Sequence, residues 1–211
     1  MRRGGGAFRA LLACSGLALA ICACSGSGGA APSPTPRLFT GLAASYLLGL
    51  DQLHVAGFTV AEVAHQVGEQ ELSAGDAQLA TALRAAGLGD AATVRYFRTP
   101  PDLAAANGFL DVRSTVLRFD GDGAAHRAFL AEVRHTDAVR HIVPESTDAA
   151  GDEAHGDQLT EGGPDGVQLV EATAILRNAN LVELVVIRGR LGGTSFSDVL
   201  VLAHTWLSGQ A

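Results

Sequence analysis

The sequence lacks lysine altogether, since all 15 of its basic residues are arginine. Its only three cysteines are Cys14, Cys22 and Cys24, all close to the N-terminus. The rest of the chain therefore has no disulfide, no thiol nucleophile and no cysteine-based zinc site. The absence of lysine also excludes a Ser-x-x-Lys motif, and neither Gly-x-Ser-x-Gly nor His-Glu-x-x-His occurs.

Positive charge and aromatic side chains are scarce. The chain carries 22 acidic residues, a formal net charge of −7, one Trp and two Tyr. An acidic surface disfavours nucleic acid because the phosphate backbone demands positive charge, and no basic cluster occurs along the sequence. So few Trp and Tyr rings cannot form a sugar-stacking stripe. We predict no catalytic residue, no cofactor and no nucleic-acid partner.

The first residues are typical of an export signal. Arg2, Arg3 and Arg9 form a basic start without acids, and Leu11–Ala23 is uncharged and mostly apolar. This apolar segment is shorter than the ~20 residues that a membrane-spanning helix needs and has the length of a signal-peptide core. We therefore predict a signal peptide at residues 1–23.

The end of the signal, Ile21-Cys22-Ala23-Cys24, resembles the bacterial lipobox. An aliphatic residue stands three positions before Cys24 and a small residue directly before it. The resemblance predicts lipidation of Cys24, with at least two acyl chains, and stable attachment to the outer face of the cytoplasmic membrane. The alternative is an ordinary secretory signal that is cleaved after Ala23.

A tether and one domain follow the signal. Residues 24–37 are rich in Gly and Ser and then in Pro, a composition without core-forming side chains. We predict a flexible tether there and a single α+β domain at residues 38–211.

The first part of this domain is predicted to be helical. Leu42–Leu50 is apolar enough for a short buried helix, and Thr59 with Glu62 forms a capping-box pattern that predicts a helix at about Val60–Glu69. A further helix is expected to end near Gly87, a typical C′ residue.

The later part predicts strands and two helices. Ala92–Arg98 and Asp111–Phe119 alternate, and Asp122 is predicted to cap a helix that runs to Arg134. Val167–Arg177 and Leu181–Arg188 carry the strongest strand signals.

Asn178-Ala179-Asn180 joins those two strands as a predicted hairpin turn. An amphipathic helix is expected over Asp198–Leu207. The fold class is therefore α+β: an antiparallel sheet of about five strands, preceded by a helical N-terminal segment, with helices packed mainly on one face.

Several spaced positions together resemble the secreted lipoproteins of actinobacteria, most of which have no assigned function. They are Tyr46-Leu47-Leu48, Asp51-Gln52-Leu53, Gly57-Phe58, Arg118-Phe119, Gly151-Asp152-Glu153-Ala154 and Arg177-Asn178-Ala179-Asn180-Leu181. Some relatives are similar to the extracytoplasmic sensor domains of mycobacterial serine/threonine kinases. Those domains often carry disulfides, which this chain lacks after Cys24. The resemblance implies an exported domain and transfers no catalytic residue.

Two acidic segments contain possible metal ligands. Asp120-Gly121-Asp122-Gly123 begins like a calcium loop but lacks the later ligands, so a strand-to-helix turn is favoured. Residues 145–165 are predicted to form a long polar loop. Its potential ligands are Glu145, Asp148, Asp152, Glu153, His155, Asp157, Glu161 and Asp165. A solvated loop is favoured over a cation site, and we predict no metal.

Ser195 and Ser197 follow a Gly-rich turn before the last helix. They suit either an anion site at the helix N-terminus or a helix cap, and the cap is favoured.

These patterns predict a non-catalytic lipoprotein domain that binds an unidentified ligand or envelope protein outside the membrane. A hydrolase of the cell envelope that uses carboxylates such as Asp152 and Glu153 is the alternative, and a structural envelope protein is a third. A pocket with two convergent carboxylates would favour the hydrolase.

Overall fold

The computed structural model describes residues 37–140, 144–145 and 151–210. The signal peptide, Cys24 and most of the tether lie outside the described residues and stay predictions. The strands are β1 Thr59–Gln66, β2 Leu88–Phe97, β3 Phe109–Phe119, β4 Pro144–Glu145, β5 Glu153–Gly162, β6 Gln168–Asn178 and β7 Leu181–Arg190. The helices are α1 Glu69–Leu72, α2 Ala77–Ala86, α3 Asp122–Arg140 and α4 Phe196–Gly209. Short 3-10 turns lie at Ala43–Tyr46, Leu50–Gln52 and Pro164–Gly166.

The strands form one antiparallel sheet in the order β1-β2-β3-β7-β6-β5-β4. The predicted α+β class and antiparallel sheet are confirmed. The sheet has seven described strands, one of only two residues, where about five were predicted. The two additional strands, β1 and β5, come from segments that were predicted as a helix and as a loop.

The predicted helix at Val60–Glu69 is wrong, because most of this segment is strand β1. The capping-box partner Glu62 pairs instead with Arg95 of β2, with 3.3 Å between Oε1 and Nη1. β1 is an edge strand, mostly exposed, that bonds to β2 through two register shifts. Backbone pairing with β2 outweighs the local capping signal, since propensity is a weak guide where tertiary contacts compete.

The predicted loop at residues 145–165 is also wrong over most of its length. β5 pairs with β6 in unbroken register from Glu153 opposite Arg177 to Gly162 opposite Gln168. Its sequence, EAHGDQLTEG, has few β-branched or aromatic residues. Pairing with the long apolar strand β6 makes it a strand nonetheless, because strand formation depends more on neighbours than on composition.

Both faces of the sheet are covered, and three of the four described helices, α1, α2 and α3, lie on one of them, as predicted. α4 and the N-terminal 3-10 turns pack on one face, where Trp206 and Val185 are fully buried. α2 and α3 pack on the other face, against Phe119. The central strands β6 and β7 are accordingly buried on both sides over much of their length.

The β6–β7 hairpin is confirmed. Asn178 lies opposite Leu181, and Ala179 in the turn has a φ of +50°. The Asn180 side chain is 2% exposed. It donates to the carbonyl oxygens of Phe39 and Phe119, so the turn also holds the N-terminal segment and the end of β3.

Candidate functional site

Helices α2 and α3 cover only part of their face of the sheet, and the remainder carries charged side chains. Arg95 of β2, Arg113 of β3 and Val186 of β7 lie opposite one another across the strands. Arg188 of β7 lies opposite both Asp111 of β3 and Glu171 of β6. These six residues line a cavity of about 260 Å³, which we call the arginine groove.

Arg95 is neutralised by partners inside the protein. Its Nε lies 2.9 Å from Oδ1 of Asp111, and its Nη1 lies 3.3 Å from Oε1 of Glu62. These hydrogen bonds, chiefly to Asp111, outweigh partial burial and raise the pKa of Arg95. Arg188 is paired with Glu161 of β5.

Arg113 differs from both neighbours. Its side chain is exposed, and no hydrogen bond or ion pair involves it among the described residues. It lies directly opposite Arg95 across the β2–β3 ladder, but the carboxylates of Asp111 and Glu62 pair with Arg95 and not with Arg113. Arg113 is therefore a guanidinium with free donors at the centre of the groove.

A second cavity, of about 220 Å³, adjoins the groove because Arg113 and Val186 line both. Helix α3 contributes Glu132, which is 3% exposed and has no hydrogen-bond or ion-pair partner among the described residues. Burial raises the pKa of this carboxyl group to about 7. We call this cavity, lined also by Glu62, Glu71, Thr93 and Thr115, the Glu132 pocket.

The acids proposed for hydrolysis, Asp152 and Glu153, lie elsewhere. Both pair with Arg177 of β6, which is 9% exposed and also pairs with Asp122 at the start of α3. Although burial opposes ionisation, hydrogen bonds from His126 and Arg177 lower the pKa of Glu153. These carboxylates are held by internal partners, and we call this group the Arg177 cluster.

The segment Gly151-Asp152-Glu153-Ala154 has a structural role, which begins with the close approach of Gly151 to β6. The φ of Gly151 is +71°, and a Cβ there would lie 2.5 Å from the carbonyl oxygen of Arg177. Asp152 accepts a hydrogen bond from the backbone N–H of Ala179 at 2.7 Å. The segment thus fastens the start of β5 to the β6–β7 turn.

The other members of the predicted acidic loop are dispersed. Glu161 reaches Arg188 at the groove, and Asp157 is buried on β5. The ring of His155 lies 3.1 Å from Asp137 of α3. The Glu145 side chain and the whole of Asp148 lie outside the described residues. Within the described ranges, no group of three or more His, Cys, Asp or Glu side chains could hold a metal ion.

At the last helix, Ser195 is the N-cap residue of α4, as favoured by the sequence. Its backbone N–H donates to Oδ2 of Asp198 at 2.8 Å, and its hydroxyl lies 2.7 Å from that of Ser197. A carboxylate at this helix start opposes the binding of a second anion.

Sequence reasoning missed the arginine groove and Glu132. The arginines are far apart along the chain, and only the strand register brings Arg95, Arg113 and Arg188 together. Glu132 did have a signal: it follows the buried Ala125 by seven residues, so a helical period places both on one face.

No family model and no curated protein matches the chain. Among solved structures, it is similar to the extracellular domain of PknH from Mycobacterium tuberculosis. The TM-score is 0.45 at 9% identity, over 79% of this chain and 93% of that one. None of the helices in the described ranges is long and apolar enough to cross a membrane.

Proposed function

We propose that this chain is a lipid-anchored, non-catalytic domain that binds a ligand outside the cytoplasmic membrane. The arginine groove is the proposed site, and Arg113 is the observation that carries the proposal. The exposed guanidinium of Arg113 favours an anionic group, because Arg95 is already paired with Asp111 and Glu62 and Arg113 still has unused donors.

The mixed charge of the groove argues for a small or local anion over a polyanion. Asp111 and Glu171 line the same cavity as the arginines, and Glu62 stands behind Arg95. A polyphosphate chain would meet these carboxylates, whereas one carboxylate or phosphate group meets Arg113 alone.

Native mass spectrometry tests the proposed site. The full-length lipoprotein is purified from its host membrane, and we expect a co-purifying anionic solute that Arg113→Gln removes. Arg127→Gln is the matched control, since Arg127 is an exposed arginine of α3 outside both cavities. Equal occupancy in wild type and Arg113→Gln would overturn the site.

The lipid anchor has its own test. Cys24→Ala is expected to abolish the acylated N-terminal peptide and to deplete the protein from the membrane fraction. Cys14→Ala is expected to change neither. An acylated peptide of unchanged mass in Cys24→Ala would rule out this anchor.

A carboxylate-dependent hydrolase is the second candidate function, and one observation, the Glu132 pocket, favours it. The Glu132 pocket combines an acid of pKa about 7 with two other glutamates, Glu62 and Glu71, and so resembles the raised-pKa acid that proton transfer requires. Conversion of the co-purified solute by wild type, with loss of turnover in Glu132→Gln, would favour this candidate. Recovery of the solute unchanged favours binding.

A further inference from the structure

We propose that the Glu132 pocket and Arg113 together bind a small zwitterion, with its ammonium group beside Glu132 and its carboxylate on Arg113. This inference rests on the proposed binding function of the arginine groove and adds the chemistry of the ligand. It also assigns a role to the Glu132 pocket, which an anion bound to Arg113 in the arginine groove would leave empty.

Glu132 needs a hydrogen-bond donor that the described part of the chain does not give it. The carboxyl group is almost fully buried and lines the pocket, and a buried carboxyl without a donor is unfavourable. The nearby hydroxyls of Thr93 and Thr115 bond to each other at 2.9 Å, and that of Thr93 also reaches the carbonyl oxygen of Ser114. A ligand N–H group in the pocket would donate to the carboxyl group of Glu132.

The charges around the pocket favour a cation at this end. Glu62 and Glu71 line it together with Glu132, and Arg113 is the one basic residue among the described side chains that line it. A positively charged group is therefore attracted to the carboxylate end, while Arg113 repels it from the groove end. A ligand with opposite charges at its two ends satisfies both.

The size of the pocket limits the ligand. Its volume of about 220 Å³ equals that of about seven waters in the liquid. This accommodates an amino-acid-sized molecule and is too small to enclose a folded peptide or an oligosaccharide. Arg113 is shared by both cavities, so such a molecule reaches it without leaving the pocket.

Binding of an ammonium group should release a proton. Glu132 titrates near pH 7 in the free protein, and an adjacent cation favours its ionised form. The other titratable groups facing it are Glu62, which is paired with Arg95, Glu71, whose Oε1 lies 3.6 Å from the ring of His65, and Arg113. Affinity is therefore expected to rise as pH increases through 7 and to level off above about pH 8, since ionised Glu132 is the binding form.

Isothermal titration calorimetry with the full chain tests this inference. The probes are L-alanine, β-alanine and γ-aminobutyrate, and propionate and propylamine serve as single-charge controls. We expect at least one zwitterion to bind about tenfold or more tightly than either control, a difference of about 1.4 kcal/mol. Glu132→Gln and Arg113→Gln should each weaken that zwitterion about tenfold, and Glu132→Gln should also remove the pH dependence.

Asp51→Asn is the matched control because Asp51 lies in a 3-10 turn packed against α4, on the opposite face. Melting curves verify that each variant is folded. Equal binding of propionate and zwitterion, retention of affinity in Glu132→Gln, or no binding of any zwitterion at about 10 mM would overturn the zwitterion site. If propionate alone binds through Arg113, the proposed function stands without the zwitterion. If the co-purified solute also binds Arg113→Gln as well as it binds the wild type, both the proposed groove site and the zwitterion site are wrong.

Discussion

The Arg177 cluster and the arginine groove lie on the same face of one sheet but use arginine in opposite ways. Arg177 is nearly buried and surrounded by Asp122, Asp152 and Glu153. Arg113 is exposed, and its nearest cross-strand charge is another arginine. A charge whose partners are all internal stabilises the fold, whereas a charge without internal partners is available to a ligand.

The largest expected effect comes from replacing Arg177, the arginine that pairs with three carboxylates. Arg177→Met should lower the free energy of unfolding by about 3 kcal/mol at pH 7, because it leaves three carboxylates together without their cation. This is near the low end for a buried ion pair, since Asp122 and Asp152 are partly exposed. Urea denaturation at pH 7 measures the change.

The pH dependence of the stability lost in Arg177→Met is a second test of the same ion pairs. The pKa of Glu153 is lowered in the folded wild type, so its stabilisation is present above the unfolded pKa and is lost as pH falls. The deficit of the variant should therefore hold from pH 7 to about pH 5 and shrink as the pH falls below that. A loss below about 1 kcal/mol at pH 7 would mean that the cluster is not structural.

The sequence predicts a strand or a site only where a short segment of the chain carries the pattern for it. The β6–β7 hairpin was predictable because Asn178–Asn180 separates two strongly apolar strands. β1 and β5 were not, because their own residues favour a capped helix and a polar loop, and only pairing with β2 and β6 makes them strands. The groove was not predictable for the same reason, since no short motif joins Arg95, Arg113 and Arg188.

Glu183 is a second buried acid with few partners, but it does not line a candidate binding site. It is fully buried on the α4 face, where its Oε1 accepts a hydrogen bond from Ser114 Oγ at 2.8 Å. Burial raises its pKa well above the usual value despite that bond. Unlike Glu132, it lines neither the groove nor the adjoining pocket.

Glu183→Gln should therefore stabilise the fold at neutral and alkaline pH. A raised pKa in the folded state means that the stability contributed by protonated Glu183 is complete below its unfolded pKa and is lost as pH rises. Glutamine does not titrate, so the variant should gain on the wild type by about 1 kcal/mol or more between pH 5 and pH 8. Thermal melts across this range measure it, with Glu161→Gln, an exposed partner of Arg188, as the control. A gain independent of pH would contradict this account.

The smallest expected effect on stability belongs to Arg113, and it sharpens the contrast with Arg177 most directly. Arg113→Met should change the free energy of unfolding by no more than about 0.5 kcal/mol, because it breaks no internal hydrogen bond or ion pair found among the described residues. The change is expected to be slightly stabilising at low salt, since it removes the repulsion from Arg95, and to vanish at high salt. Urea denaturation at two salt concentrations, on protein freed of ligand, measures both. A loss comparable to that of Arg177→Met would show that Arg113 stabilises the fold. It would contradict the proposal that the guanidinium of Arg113 is free to bind a ligand.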